Sequence, residues 1–532
     1  MPEMTGGQAL IKSLAREGVE VIFGLPGVQM YEAINPIADE PSIRFITARH
    51  EQATAYMADG YARAAGKPGV CMVVPGPGLL NASAAIGSAF AASSPILVVA
   101  GQIPKDSIGK DVGLLHEVND QMVAIQQVTK AAYRMLAPKE VPGTIHEAFK
   151  QLRTGRPRPV EVEIPPDTLA EVADVDLLEP GDYARHAASK EQVDEAVRIL
   201  ADAKDPMIWA GGGVISSGGT AALTRIAEHL QAPVHVTPEG KGAIDERHYL
   251  SRGALKTRTD TLREKLRGHD VILAVGTRFA AVDPDPGQRV IQIDIDPDEI
   301  GRNHANTHAV LGDAGKTLAA LETQLTATSD ARASRQAEME EWRADRFGTG
   351  RTEPQDGFNE AMRRAIPDDG IIIAGMTQLG YYGRLYFPIY NPGTYVNSSY
   401  FGNLGFAYPT GLGVKVAKPD TPVIVISGDG GFMFNSSELS TAVQYSINVV
   451  LIVFNDNAFG NVLRDQKDRY GADRAVGSEL HNPDFVKLAE AYGARGIRAE
   501  TPVALEQAIR DGIAADLPTL IEVPVGPMPS PF

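Results

Sequence analysis

The stretch Val423-Ile424-Val425-Ile426-Ser427-Gly428-Asp429-Gly430-Gly431, followed 27 positions after Asp429 by Asp456 within Val449-Val450-Leu451-Ile452-Val453-Phe454-Asn455-Asp456-Asn457, decides the reading of this chain. Each acidic residue closes an apolar run of strand length, so the two carboxylates are expected at the C-terminal ends of adjacent parallel strands. Open α/β sheets bind their ligands at that edge. Between the two runs, Asn435-Ser436-Ser437-Glu438 reads as a capped helix start, with Leu439, Ala442 and Val443 forming its buried face. Two carboxylate oxygens and a backbone carbonyl just after Asn457 suit a hard cation such as Mg²⁺, which completes its octahedron with phosphate oxygens. Gly428, Gly430 and Gly431 let backbone N–H groups approach such phosphates. Glycine and aspartate are also ordinary turn residues after strands, and either half alone would be read that way. The pair at this spacing favours a metal site.

Composition bounds the rest. A chain of 532 residues predicts about three domains of ordinary size. With 43% hydrophobic and 22% charged residues it is a normal globular composition with a large core available. The net charge of −17 argues against nucleic acid or an anionic membrane as partner. The single cysteine, Cys71, lies in an apolar run and reads as a buried structural thiol; one cysteine allows no intrachain disulfide. Met1 to Thr5 carries no basic region ahead of a long apolar core, and no apolar run reaches membrane-spanning length. A cytoplasmic protein is expected.

Working outward, residues 8–170 alternate helical patterns with short apolar strands at 19–23, 43–46, 70–74, 96–99 and 160–164, the rhythm of a parallel sheet with helical crossovers. A second unit carries strands at 206–209, 233–236, 271–275 and 290–294. It includes a glycine turn, Gly211-Gly212-Gly213, directly after a strand, which is weak evidence for a dinucleotide site on its own. A charged stretch from Ser329 to Gln355 reads as helix plus linker. The expected fold class is therefore α/β, three doubly wound parallel-sheet domains over 1–170, 190–328 and 356–532, the first and third looking like two copies of one architecture.

Gly428-Asp429-Gly430 and Asn455-Asp456-Asn457 resemble the two ends of the diphosphate-binding motif of thiamine-diphosphate enzymes, in particular the acetolactate synthase, 2-oxoacid decarboxylase and pyruvate oxidase group. The resemblance spans nearly the whole chain. It implies that the first, central and third domains are pyrimidine-binding, Rossmann-like and diphosphate-binding, and that Asp429, Asp456 and the carbonyl of Ala458 ligate Mg²⁺. Many members carry asparagine where Asp456 stands, so the charge departs but the oxygen is kept. Glu51, within Arg49-His50-Glu51-Gln52-Ala53, matches the glutamate that meets N1′ of the cofactor's aminopyrimidine. Alone, a glutamate in a first helical turn is an ordinary surface residue. As implied, it acts as acid–base catalyst through the cofactor, whose charged ring is the electron sink when CO₂ leaves a 2-oxo acid.

By the same resemblance the carbonyl of Gly402 and the N–H of Leu404 meet the aminopyrimidine, the Leu404 side chain bends the cofactor, and Gln378 contacts the diphosphate. Leu379 departs from the histidine common in acetolactate synthases. Pro75-Gly76-Pro77-Gly78, Asn81 and Gly101-Gln102 are similar to the synthase first domain. The substrate pocket is less faithful: Val28 offers no hydroxyl, Leu136 stands where a basic residue is expected, and Gly113-Leu114-Leu115-His116-Glu117 is closer to decarboxylases with histidines there. His116 could supply a proton near the reacting carbon, or simply pack within its loop. Leu255-Lys256-Thr257-Arg258 and Arg278-Phe279-Ala280-Ala281 replace flavin-associated motifs, which argues against FAD. The implied activity is acetolactate-synthase-like carboligation after decarboxylation of a small 2-oxo acid, with a non-oxidative 2-oxoacid decarboxylase or 2-hydroxyacyl lyase as the alternative. Because Glu51 and Asp429 belong to domains that come from different subunits in this family, a homodimer or homotetramer is implied.

Overall fold

In the computed structural model, which describes residues 2–254, 266–280, 282–348 and 351–530, the run that opens the third domain is a strand, Val423–Gly428, whose apolar residues are all buried. Parallel sheets are covered by helices on both faces, which is why this strand is continuously apolar rather than alternating. It lies third in a six-stranded parallel sheet ordered Tyr395–Asn397, Ile371–Ala374, Val423–Gly428, Val450–Asn455, Thr519–Pro524, Arg495–Arg498. Asp429 and Asp456 therefore leave neighbouring strands at the same edge, in register through the Gly428–Phe454 pair.

The first domain repeats that topology. Its six parallel strands run Arg44–Thr47, Val21–Gly24, Gly69–Val73, Ile96–Gly101, Val160–Ile164, Ala131–Arg134, the same order of connections along the chain as in the third. The central sheet is ordered differently: Ser251–Ala254, Val234–Val236, Pro206–Ala210, Val271–Val275, Arg289–Asp294, Thr307–Leu311. That is the dinucleotide-fold order. Its glycine turn is closely packed: a Cβ on Gly211 would lie 2.2 Å from the Gly276 carbonyl, and one on Gly213 2.6 Å from the Gly276 Cα. Close backbone approach explains those glycines.

Several elements differ from the sequence expectation. The first strand begins at Val21 rather than Val19. The strand expected at Thr129-Lys130 runs over Ala131–Arg134; strands at Ser251–Ala254, Thr307–Leu311, Tyr395–Asn397 and Arg495–Arg498 are not signalled by the sequence, and all four are sheet edges. An edge strand need not carry a continuous apolar run, so periodicity gives it little signal. The charged stretch contains a helix, Gln336–Gly348; residues 349–350, Leu255 to Arg258 and Ala281 lie outside the described residues. The cap read at Asn435–Glu438 does not form: the helix Glu438–Gln444 has Ser437 at its N-cap with no side-chain hydrogen bond, and Asn435 is used elsewhere. Cys71 is fully buried, and burial pushes its thiol up to about 12. No helix of the described residues is long and apolar enough to cross a membrane.

The first and third domains share one apolar core. The helix Glu51–Ala65 is alanine-rich and stops at Gly66, whose φ of 67° closes it in the left-handed conformation. It packs along the helix Ala407–Ala417 through small residues: a Cβ on Gly60 would sit 2.1 Å from the Thr410 carbonyl, and one on Gly413 2.0 Å from the Met57 carbonyl. Tyr56 meets Phe406 edge to face at 5.6 Å, and its hydroxyl accepts from Asn403 Nδ2 at 2.9 Å. Neither backbone carbonyl can yield, so Gly413→Ala should destabilise the chain by roughly 1–3 kcal/mol. Gly143→Ala, in a helix with nothing within 4 Å of its added methyl, should be neutral or stabilising. Thermal unfolding of the two variants checks this; equal midpoints would contradict it.

Candidate functional site

The edge of the third sheet opens into a cavity of about 120 Å³ lined by third-domain residues alone, from Met376 to Met528. Asp429 is the first residue of the short helix Asp429–Met433 and is 2% exposed. Asp456 follows the strand Val450–Asn455, and its Oδ1 accepts from the Ala458 N–H at 3.2 Å. Asn457 between them has a φ of 54°, a conformation uncommon outside glycine, which turns the chain sharply back toward the cavity. Ala458 then bridges to Glu479.

Both carboxylates have a raised proton affinity. Burial, then the Asp429 charge, pushes Asp456 up to about 6; burial also raises Asp429 against N–H donors from Gly430, Asn482 and Ala458. Among the lining residues these are the only charged groups, so a bound cation is what would let both ionise. Asn482 already shows where a positive group is wanted: its Nδ2 donates to Asp429 Oδ2 at 2.6 Å, Asn455 Oδ1 at 3.0 Å and Asn457 Oδ1 at 3.3 Å. Around the acids the walls are glycine: a Cβ on Gly460 would lie 2.1 Å from Asp456 Oδ2, and one on Gly430 2.5 Å from the Phe459 ring. No cluster of three or more histidine, cysteine or acidic side chains occurs among the described residues, so a cation here would take two carboxylates and complete its shell with backbone and ligand oxygens.

Of the residues singled out in the sequence, Gln378, Leu404, Gly428, Asp429, Gly430, Gly431, Asp456 and Ala458 line this cavity together. Gly402 stands just outside, in the left-handed conformation at φ 68°, its missing Cβ 3.4 Å from the Met376 methyl. Leu404 approaches Gly431, 3.7 Å from where a Cβ there would lie.

Glu51, His116, Val28 and Leu114 are not in the cavity; Glu51 and His116 meet at the first-domain turn Pro75–Gly78. Glu51 opens its helix, and its Oε2 accepts from Asn81 Nδ2 at 3.0 Å, while Oε1 is 3.7 Å from the Cβ position of Gly78. The His116 carbonyl abuts Gly76, where a Cβ would come within 2.2 Å. His116 itself has a φ of 68°. Its Nδ1 is 3.0 Å from Gln29 Oε1, and Gln29 Nε2 donates to the Leu115 carbonyl at 3.0 Å. A carbonyl can only accept, which fixes the Gln29 amide and makes Nδ1 the donor, leaving Nε2 for other chemistry. Val28, beside Gln29, is 57% exposed and Leu114 37%.

Three contributors escaped sequence reading. Asn482 stands far along the chain from Asp429, in a His481-Asn482-Pro483-Asp484 segment that signals only a helix start. Glu438, fully buried, accepts from the Arg49 N–H at 3.0 Å and the His50 N–H at 3.1 Å, holding the turn before Glu51 from the third domain of the same chain. Asn435 Nδ2 likewise reaches Gln52 Oε1 at 3.1 Å and the Gly405 carbonyl at 3.0 Å. Only tertiary contact brings these groups to the site.

Comparison with known proteins follows the same three-part division. Residues 4–127, 193–321 and 375–523 match the N-terminal TPP binding, central and C-terminal TPP binding domains described for thiamine pyrophosphate enzymes. A probable acetolactate synthase large subunit from Methanocaldococcus jannaschii is 34% identical, covering 98% of this chain and 92% of its own. A probable 2-ketoarginine decarboxylase from Pseudomonas aeruginosa is 35% identical over 98% and 94%. Acetolactate synthase isozyme 3 large subunit from Escherichia coli is 31% identical over 96% and 93%.

Burial and the Asp429 charge make Asp456 favour its protonated form in the fold, so its contribution to stability is present at low pH and lost as pH rises through about 6. A divalent cation needs the ionised form and competes with that proton. Its affinity should therefore fall by about tenfold per pH unit below about 6, and calorimetric titration at pH 5, 6 and 7 measures it. A dissociation constant that did not move over this range would contradict the assignment.

Proposed function

The chain belongs to the thiamine pyrophosphate enzyme family, and from that premise we propose that it decarboxylates a small 2-oxo acid and joins the remaining fragment to an acceptor, as an acetolactate synthase does, with Mg²⁺ and thiamine diphosphate and without flavin. The observation that carries the metal and diphosphate part is the facing pair Asp429 and Asp456 in a glycine-walled cavity. Asp429, Asp456 and the Ala458 carbonyl hold the metal; backbone N–H groups at Gly428, Gly430 and Gly431, with Gln378, receive the diphosphate; Gly402 and Leu404 seat the pyrimidine end. When bound, thiamine diphosphate supplies a nucleophilic carbon and an electron sink for loss of CO₂. Glu51 holds and returns a proton at the aminopyrimidine edge, helped by an apolar setting. His116, with Nε2 available, donates a proton or orients the substrate carbonyl, flanked by Val28 and Leu114.

The reading also calls for two chains. Glu51 lies with the first-domain group and contributes nothing to the third-domain cavity of its own chain. A site that needs both groups is completed by a partner subunit in a homodimer or homotetramer, and symmetry then makes two such sites. The similarity to a decarboxylase supports a second reading, in which the fragment leaves as free aldehyde.

Two outcomes are expected. Asp429→Ala should lose cofactor retention, and Glu51→Gln should bind cofactor yet fall in turnover by about 10²–10⁴-fold. Mixed and reassembled, the two variants should regain activity, because one of the two sites in a hybrid dimer carries neither change; no recovery in hybrids verified by mass would contradict the shared site. With pyruvate as sole substrate, product analysis should find acetolactate, and His116→Ala should shift the ratio toward acetaldehyde with thiamine-diphosphate affinity unchanged. Acetaldehyde alone from the unaltered chain would favour the decarboxylase.

A further inference from the structure

One wall of the cavity is organised by a guanidinium to which no role has yet been given. Arg464 lies in the helix Gly460–Tyr470, whose first residues Gly460 and Asn461 line the cavity. Its Nη1 donates to Gln378 Oε1 at 3.1 Å and to the Met528 carbonyl at 3.2 Å, and its Nη2 donates to Asn461 Oδ1. All three acceptors belong to lining residues. Arg464 does not line the cavity itself; it stands behind the wall and holds three of its members at once.

A guanidinium has donors only. The amide atom facing it must therefore be oxygen in both Gln378 and Asn461, and each NH₂ group is turned away from the arginine. Among the described residues neither NH₂ group has a protein acceptor. The cavity lining also holds the Asp429 and Asp456 carboxylates, so the space offers carboxylates to a cation and neutral N–H donors backed by a fixed cation to an anion.

We propose that Arg464 is a positioning residue for the cofactor's diphosphate, orienting the amides of Gln378 and Asn461 so that both present NH₂ groups to phosphate oxygens. The proposal rests on the thiamine-diphosphate reading above. Lysine cannot replace the arginine here, because a point charge lacks the planar fork that holds two amides in fixed orientation.

The test compares the unaltered chain with Arg464→Met, Arg464→Lys, a Gln378→Ala/Asn461→Ala double variant, and that double variant with Arg464→Met added. Calorimetry at saturating Mg²⁺ reads the affinity for thiamine diphosphate, and competition by inorganic pyrophosphate reads the anion end alone. Losing hydrogen bonds to a charged group predicts that Arg464→Met weakens both ligands by roughly tenfold to a hundredfold. Arg464→Lys should behave nearly the same. In the double-variant background, where the arginine has no amide to orient, adding Arg464→Met should cost no more than about twofold. The proposal is overturned by unchanged affinity in Arg464→Met, by full rescue with lysine, or by a penalty that persists undiminished in the double-variant background. Failure of the unaltered chain to bind thiamine diphosphate would instead bring down the cofactor reading on which the proposal rests.

Discussion

Two carboxylates forced together at the end of adjacent strands are the constraint around which the third domain is built. Burial disfavours ionisation of both Asp429 and Asp456, and the Asp429 charge adds to it at Asp456, a cost that a folded protein carries only where something compensates it. The compensation within the chain is partial: Asn482 gives one amide nitrogen to three oxygens, and backbone N–H groups do the rest. The glycine walls follow from the same constraint. At Gly460 a side chain would collide with Asp456 itself, so from that wall the acids can be approached only by backbone or by a ligand. The cavity is thus kept both acidic and open.

The coupling of the first domain to the third has a different physical basis. Glycines on two crossing helices bring their backbones to near contact, and the apolar core runs through the junction without a break. Onto this dry contact two polar ties are added, Glu438 to the Arg49–His50 turn and Asn435 to Gln52. Both flank Glu51 without touching its carboxylate. The third domain of a chain therefore holds the first-domain helix in place while leaving its leading glutamate to Asn81 of the first domain.

Much of this was legible in the chain. The strand runs that end in Asp429 and Asp456 announced themselves because a strand buried on both faces must be apolar throughout, and their spacing matched a helical crossover. The shared topology of the first and third sheets was likewise visible in the rhythm of strands and helices. Four of the edge strands were not: those at Ser251–Ala254 and Tyr395–Asn397 are buried but too short to show a pattern, and those at Thr307–Leu311 and Arg495–Arg498 are largely exposed or half-exposed. Asn435 was read as a cap from its local sequence, whereas its amide is drawn to Gln52 and Gly405, because contacts between domains outweigh a weak local preference.

By itself, then, the sequence determined the α/β class, the three-part organisation and the family, and singled out residues that the third-domain cavity brings together, because those features depend on runs and spacings short enough to be read locally. Only the tertiary structure decided that Asn482 and Arg464 hold residues of the cavity wall, that Glu438 steadies the turn before Glu51, and that Glu51 and His116 share one turn while standing apart from the acids. These are juxtapositions of segments tens to hundreds of residues apart. The folding of the sheets and the packing of one helix on another create them, and no local periodicity encodes them.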